Sequence, residues 1–136
     1  MILECIFSTL DPDGKPNFAP MGVRWGEEML IVYPFRDTHT YQNLERTGFG
    51  VASFTDNVLA FVQSCLYKET LPHFPAKSIP GVVVQSACFW RELEAISEGG
   101  DERRARFDCR VVGQGRKRDF LGFCRRCCWR WCGRRR

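Results

Sequence analysis

"LECIFSTLDPDGKPNFAPMGVRW", Leu3 to Trp25, is the stretch on which the fold turns. Residues 3 to 10 are a β-type run, "DPDGK" (11 to 15) sets Pro and Gly where a backbone is first fixed and then reversed, and "NFAPMGVRW" resumes extended structure. The segment predicts a β-hairpin. "GEE" (26 to 28) turns the chain again into "MLIVYPF" (29 to 35), an apolar run of strand length closed by Pro34, where a missing N–H costs least. Three antiparallel strands in succession make a meander.

Working outward, Tyr41 and Leu44 stand three apart between Thr38 and Thr47, and Gly48 follows as a residue suited to a left-handed C-terminal position, so the spacing predicts a short helix. "FGVASFT" (49 to 55) reads as a strand, and "DNVLAFVQSCL" (56 to 66) as a second helix with Val58, Phe61, Val62 and Cys65 at helical spacing. "YKETLPHFPAKSIPG" (67 to 81), with its three prolines, reads as a loop. "VVVQSACFWRELEAIS" and "RARFDCRVV" read as the arms of a long hairpin around "EGGDE". In the second arm Ala105, Phe107, Cys109 and Val111 alternate with Arg104, Arg106, Asp108 and Arg110, one face buried and one wet. Glu92 and Glu94 are expected to meet those arginines across the strands. The fold class expected is mainly β, a small antiparallel barrel of five or six strands with two short helices, since closure removes exposed sheet edges.

At 136 residues the chain is one domain's worth of sequence. No basic leader precedes Glu4 and no apolar run nears the roughly 20 residues that span a bilayer, so the expectation is a soluble, cytoplasmic protein. Its eight cysteines then read as reduced thiols, core residues or metal ligands rather than disulfides. Charge is uneven: residues 1 to 102 hold 7 Lys/Arg and 14 Asp/Glu, whereas residues 103 to 136 hold 13 and 2. A basic nucleic-acid-binding β-barrel is the function class this would suggest, but a solvated sheet face paired with Glu92 and Glu94 accounts for the arginines of the hairpin.

The segment "RDTHTYQNLERTG" (36 to 48) concentrates hydrogen-bonding groups at a helix start. First-turn N–H groups have no internal partner and carry partial positive charge, so Thr38 and Thr40 hydroxyls with Arg36, His39 and Asn43 could complete a phosphate cradle. The alternative is a plain N-cap worth about 1 kcal/mol, and Asp37 would repel a phosphate unless it turned away or paired with Arg36. His73, in the Pro-rich loop, is either a substrate contact or a bystander. The sequence contains no Ser/His/Asp triad, Walker loop or GxGxxG, and "VVGQGRK" (111 to 117) lacks the full glycine spacing.

"NFAPMGV" (17 to 23) and "YPFRDTHTYQNLERTGFGVASF" (33 to 54) resemble, in order and spacing, the FMN-binding split β-barrel superfamily of pyridoxamine phosphate oxidases and flavin reductases, and within it an uncharacterised prokaryotic branch with "APMG" and "TYENI"-like segments. Asn17, Ala19 and Pro20 match the segment that ends a strand against the flavin. Thr40, Asn43 and Leu44 match the one that opens the phosphate-binding helix, and Phe49 and Val51 match the strand after it. The resemblance covers residues 1 to 123 and implies an FMN cofactor, a site including Ala19, Pro20, Met21, Gly22, Arg36, Thr38, His39, Thr40 and Asn43, and a homodimer with FMN at the interface. It implies a flavin-dependent oxidoreductase of unknown substrate or, alternatively, a non-catalytic flavin-binding module. Because the flavin carries the redox chemistry, no catalytic acid or base is required.

The last 13 residues, "CRRCCWRWCGRRR" (124 to 136), stand apart, with four Cys, six Arg and two Trp. Cys124 and Cys127 have a zinc-type CxxC spacing with Cys128, Cys132 or Cys109 as completions, although no second spaced pair follows. Arg interleaved with Trp would also suit a nucleic-acid arm. The preferred reading is a frame-shifted end, because Arg, Cys, Trp and Gly share GC- and TG-rich codons and the resemblance to the superfamily stops at Cys124. No metal site is expected in the chain as a whole.

Overall fold

A computed structural model describes residues 1–67 and 69–118; the whole segment 124 to 136, with its three readings, lies outside them. Strands β1 (Ile2–Leu10) and β2 (Pro16–Arg24) form the expected hairpin, paired from Ile2 with Arg24 to Leu10 with Pro16. Gly14, at φ 84°, takes the positive-φ position of the turn. Strand β3 (Met29–Val32), helix α1 (His39–Thr47), strand β4 (Phe49–Phe54) and helix α2 (Val58–Val62) follow, and a single π-helical turn (Gln63–Tyr67) extends α2. Then come β5 (His73–Pro75), β6 (Val82–Val84), β7 (Phe89–Gly100) and β8 (Ala105–Arg116). Six of these strands close an antiparallel barrel in the order β1-β2-β3-β8-β7-β4.

One expectation, the layout of the strands after α2, changes in three places. The segment 67 to 81 is not all loop, for β5 within it pairs with β6, His73 opposite Val84 and Pro75 opposite Val82. The long first arm of the last hairpin is correspondingly broken: Val82–Val84 belongs to this small outer sheet, and β7 begins at Phe89. The triple-valine run has two apolar faces to bury, and pairing with β5 over the outside of the barrel does so. At the far end, Glu98–Gly100 continues β7 rather than turning, with Gly100 opposite Ala105. Gly100 turns the chain at φ 105°.

Inward-facing residues fill the barrel. Leu3, Cys5 and Phe7 of β1, Val23, Leu30, Val32, Ala52, Phe54, Leu93, Ala105, Phe107 and Cys109 form one buried cluster, closed at one end by Leu44 of α1. Gly50 permits that closure, since a Cβ there would stand 2.5 Å from the Phe7 ring. On the outside, Ile6, Phe18, Ala60, Leu71 and Val84 form a second cluster, and Val51, Ile79, Val83 and Ala87 a third. Strands β1 and β4 are therefore buried on both faces over most of their length.

The opposite end of β4 is closed by aromatic rings. Phe54 and Phe89 stack at 4.5 Å, and Trp25 meets both edge-on at 5.6 and 5.9 Å. Arg91, 6% exposed, lies 3.8 Å above the Trp25 ring and donates to the carbonyls of Gly26 and Glu27, both at 2.7 Å.

Glu92 corrects a second expectation, for it does not pair with the arginines of β8. It is 2% exposed, and its two oxygens accept from the backbone N–H of Lys77 at 3.0 Å and of Ser78 at 2.6 Å. It thus holds the loop between β5 and β6 against the barrel. Glu94 does pair as expected, with Arg110 opposite it. Glu92→Gln, which turns an acceptor into a donor facing an N–H, is expected to cost about 1–3 kcal/mol. Native-state hydrogen exchange should rise at Lys77 and Ser78 while the amides of β1 and β4 keep their protection.

Candidate functional site

Helix α1 begins as the resemblance implied, but its polar side chains have partners within the chain. Thr38 is the N-cap, in extended conformation, and its Oγ1 accepts from Tyr41 N–H at 3.3 Å and donates to the Phe35 carbonyl at 2.6 Å. The N–H groups of His39 and Thr40 open the helix, where an intrahelical bond cannot reach. The helix ends at Gly48, φ 73°, whose N–H donates to Leu44 O at 2.8 Å.

Thr40 and Asn43 are 2% and 1% exposed and turn toward the β1–β2 hairpin. Thr40 Oγ1 accepts from Asn17 Nδ2 at 3.2 Å. Asn43 Nδ2 donates to Thr9 Oγ1 at 3.0 Å and to Asp11 Oδ1 at 2.9 Å, while its Oδ1 accepts from Arg46 at 3.2 Å. The two residues pin the helix to the hairpin, which sets where the helix start points. His39 is exposed, with Nδ1 3.5 Å from Asp11 Oδ1. Asp37 is exposed as well.

Arg36 is engaged elsewhere. Its guanidinium donates to Asp101 O (2.7 Å), Glu98 Oε1 (2.9 Å), Tyr41 Oη (3.1 Å) and Gly99 O (3.2 Å) and lies 5.3 Å above the Tyr41 ring. The hydrogen bond to Glu98 raises the guanidinium pKa. At the same hairpin tip the N–H groups of Arg104 and Arg103 hold the Asp101 carboxyl below its ordinary value. Arg36 thus ties the helix entry to the tip of the β7–β8 hairpin.

Beside this helix runs an unusual strand edge. Among the described residues, β2 pairs along its whole length with β1 but meets β3 only at Arg24 opposite Ile31. From Pro16 to Val23 its other edge has no ladder partner among the described residues, so the closed barrel is thinnest between β2 and β3. Pro16 and Pro20 lack an N–H there. Ala19, Pro20, Met21 and Gly22 are all half-buried. A Cβ on Gly22 would stand 2.8 Å from Ile2 Cγ2 and 3.2 Å from Glu4 Oε1. Those side chains take the room its missing Cβ leaves.

His73 lies across β2 from Asn17. It stands on β5 with its ring 5.8 Å from that of Phe18 and Nδ1 2.7 Å from Leu71 O. Phe18 and Asn17 are neighbours in an extended strand and point to opposite faces. The basic face of β8 is spent locally: Arg106 pairs with Asp108 at 2.9 Å, Arg110 with Glu94, and Arg104 donates to Tyr33 O at 3.1 Å. Cys109 faces the barrel interior, where burial pushes its thiol up to about 12. Among the described residues no group of three His, Cys, Asp or Glu could hold a metal, and no helix is long and apolar enough to cross a membrane.

Sequence reasoning did not supply the partners of these residues. Thr9 and Asp11 sit in plain view before the first turn, but nothing in a linear pattern joins them to Asn43, 34 and 32 residues away.

The model of the family described as "Protein of unknown function (DUF447) N-terminal domain" matches residues 3–118. No curated protein matches the chain in sequence. Among solved structures, an FMN-bound protein of Methanosarcina mazei from that family aligns with a TM-score of 0.72 at 22% identity, over 85% of this chain and 61% of that one. A 2-nitrobenzoate 2-nitroreductase of Pseudomonas fluorescens aligns at 0.72 and 13%, over 85% and 65%. A putative flavin reductase with a split barrel domain from Shewanella frigidimarina aligns at 0.75 and 12%, over 85% and 67%. The fold is therefore theirs, and the chain spans less than two thirds of the length of the first two.

Proposed function

The chain belongs to the family of DUF447 N-terminal domains, and from that premise we propose that it binds FMN as a homodimer and serves a flavin-dependent oxidoreductase reaction. One observation carries the reading: the unpaired edge of β2 runs into the start of α1, joined to it by the 3.2 Å contact between Asn17 and Thr40. A strand edge offers backbone donors and acceptors to the polar rim of a flat heterocycle, and a helix start offers N–H groups to a phosphate. The two lie side by side. The structural neighbours, an FMN-bound protein, a nitroreductase and a flavin reductase, agree with this pairing.

The roles divide among the residues accordingly. The N–H groups of His39 and Thr40, with the His39 ring, bind the phosphate, and Thr38 caps the helix start that presents them. Thr40 and Asn43 position that helix start from beneath, and Arg36 orients the chain entering it. Ala19, Pro20, Met21 and Gly22 line the ring. When bound, FMN supplies the electron transfer. Phe7, Phe54, Leu30 and their neighbours fill the barrel interior, so the ring lies outside it, and a second copy is the natural cover for a half-buried strand. A reducing, cytoplasmic setting suits the free thiols of Cys5, Cys88 and Cys109.

The experiment is a visible absorbance spectrum with mass identification of any released chromophore, followed by titration of stripped protein with FMN and with riboflavin. FMN should bind at least about tenfold more tightly, ~1.4 kcal/mol for the phosphate. Equal affinities would remove the helix start from the site, and failure to bind either would overturn the reading. NAD(P)H oxidation by the loaded protein separates an oxidoreductase from a flavin-binding module.

A further inference from the structure

The turn between β1 and β2 brings to the start of α1 a carboxylate whose charge the fold does not need. Asp11 directly follows β1, and main-chain bonds hold its turn: its N–H donates to Lys15 O at 2.8 Å and its carbonyl accepts from Gly14 N–H at 2.9 Å. Its side chain accepts from Asn43 Nδ2 at 2.9 Å. A neutral amide oxygen would accept that bond equally well. What the acid adds is a negative charge, and the cations near it in sequence and space are used elsewhere. Lys15 lies 3.9 Å from Asp13, and Arg46 donates to Asn43 Oδ1 and to the Leu10 carbonyl. Among the described residues the only cationic partner within ion-pair reach of Asp11 is His39, Nδ1 to Oδ1 3.5 Å, and that side chain is 72% exposed.

This charge stands at the phosphate end of the site. His39 opens α1, and its N–H and that of Thr40 are the first two of the helix. Asp37, exposed, adds a second carboxylate two residues before His39. Arg36 is held by Glu98 and by the carbonyls of Asp101 and Gly99. A phosphomonoester at this helix start is therefore met by N–H dipoles and one exposed imidazole, and it carries about −1.5 to −2 charge at neutral pH. Asp11 has two opposite effects on it, orienting the His39 ring and repelling the phosphate. An exposed ion pair contributes little, so repulsion wins.

We propose that Asp11 sets the selectivity of the phosphate end: its carboxylate opposes a phosphate dianion and holds down the preference for FMN over riboflavin. The proposal rests on the FMN reading and adds to it the residue that limits the affinity. Repulsion between a carboxylate and a dianion in a solvated site is worth on the order of three- to tenfold in binding.

Asp11→Asn removes the charge and keeps an oxygen to accept from Asn43. The full chain, stripped of flavin, is titrated with FMN and with riboflavin at about pH 8, where an ordinary imidazole is neutral. The variant should bind FMN about three- to tenfold more tightly than the native chain, with riboflavin affinity unchanged. For the native chain, raising salt from about 20 to about 300 mM should strengthen FMN binding by screening the repulsion and leave riboflavin binding as it was. That second measurement carries the test if the variant does not fold. FMN affinity that is unchanged or weaker in Asp11→Asn, or that falls with salt as at a cationic site, overturns the proposal and leaves the FMN reading standing. Failure of the native chain to bind either flavin overturns both.

Discussion

Asn43→Ala is expected to lower the stability of the flavin-free protein by about 2–4 kcal/mol, more than the roughly 1 kcal/mol of a lost helix cap. The amide is 1% exposed and serves three partners at once, Thr9, Asp11 and Arg46. Its loss leaves a hydroxyl that is itself 1% exposed without its donor, and leaves Asp11 to His39 alone. Buried groups stripped of a partner cost their full desolvation. Denaturant unfolding in the absence of FMN, beside Thr38→Ala as the cap-only control, measures this. FMN affinity should fall as well, because the helix start loses its orientation. If stability changes by less than about 0.5 kcal/mol while affinity collapses, the amide acts on the ligand itself and the clasp is incidental.

Arg91→Ala is the second large effect, about 3 kcal/mol of stability. The side chain is 6% exposed, and burial lowers its pKa, yet the guanidinium remains charged because its ordinary value is so high. Its charge is used on two carbonyls of the turn between β2 and β3 and on the face of Trp25. A buried cation over indole contributes on the order of 2 kcal/mol, and the carbonyls of Gly26 and Glu27 add to that. Arg91→Lys should recover less than half of the loss, since an ammonium cannot lie flat on the ring while donating in a fork. Equilibrium unfolding followed by near-UV circular dichroism, which reports the Trp25, Phe54 and Phe89 packing directly, is the measurement. A loss under about 1 kcal/mol would mean that this end of the barrel is closed by the rings alone.

Much of this molecule was legible in its amino acids. The first hairpin, α1 with its glycine stop, β4 and the alternating arm of β8 follow from turn chemistry and periodicity, which are local. The double-sided burial of β1 was not visible, because a β-type run does not say what covers its outer face. The break between Val84 and Phe89 was invisible, because a run of β-formers does not say which neighbour each part will pair with. Three prolines also concealed β5, although a two-stranded outer sheet tolerates them at its edges.

For the proposed site, the sequence by itself determined the chemistry that each group carries, and its resemblance to the split-barrel superfamily pointed to Asn17 to Gly22 and Arg36 to Gly48 as the expected segments. Only the tertiary structure decided what those residues do. It turned Thr40 and Asn43 inward onto the hairpin, spent Arg36 on Glu98 and Asp101, filled the space over Gly22 with Ile2 and Glu4, and, among the described residues, left the second edge of β2 without a ladder partner from Pro16 to Val23. The reason is physical: a hydrogen-bonding group carries its chemistry with it, but whether it is free to use that chemistry depends on which groups, distant in the chain, folding brings within about 3 Å.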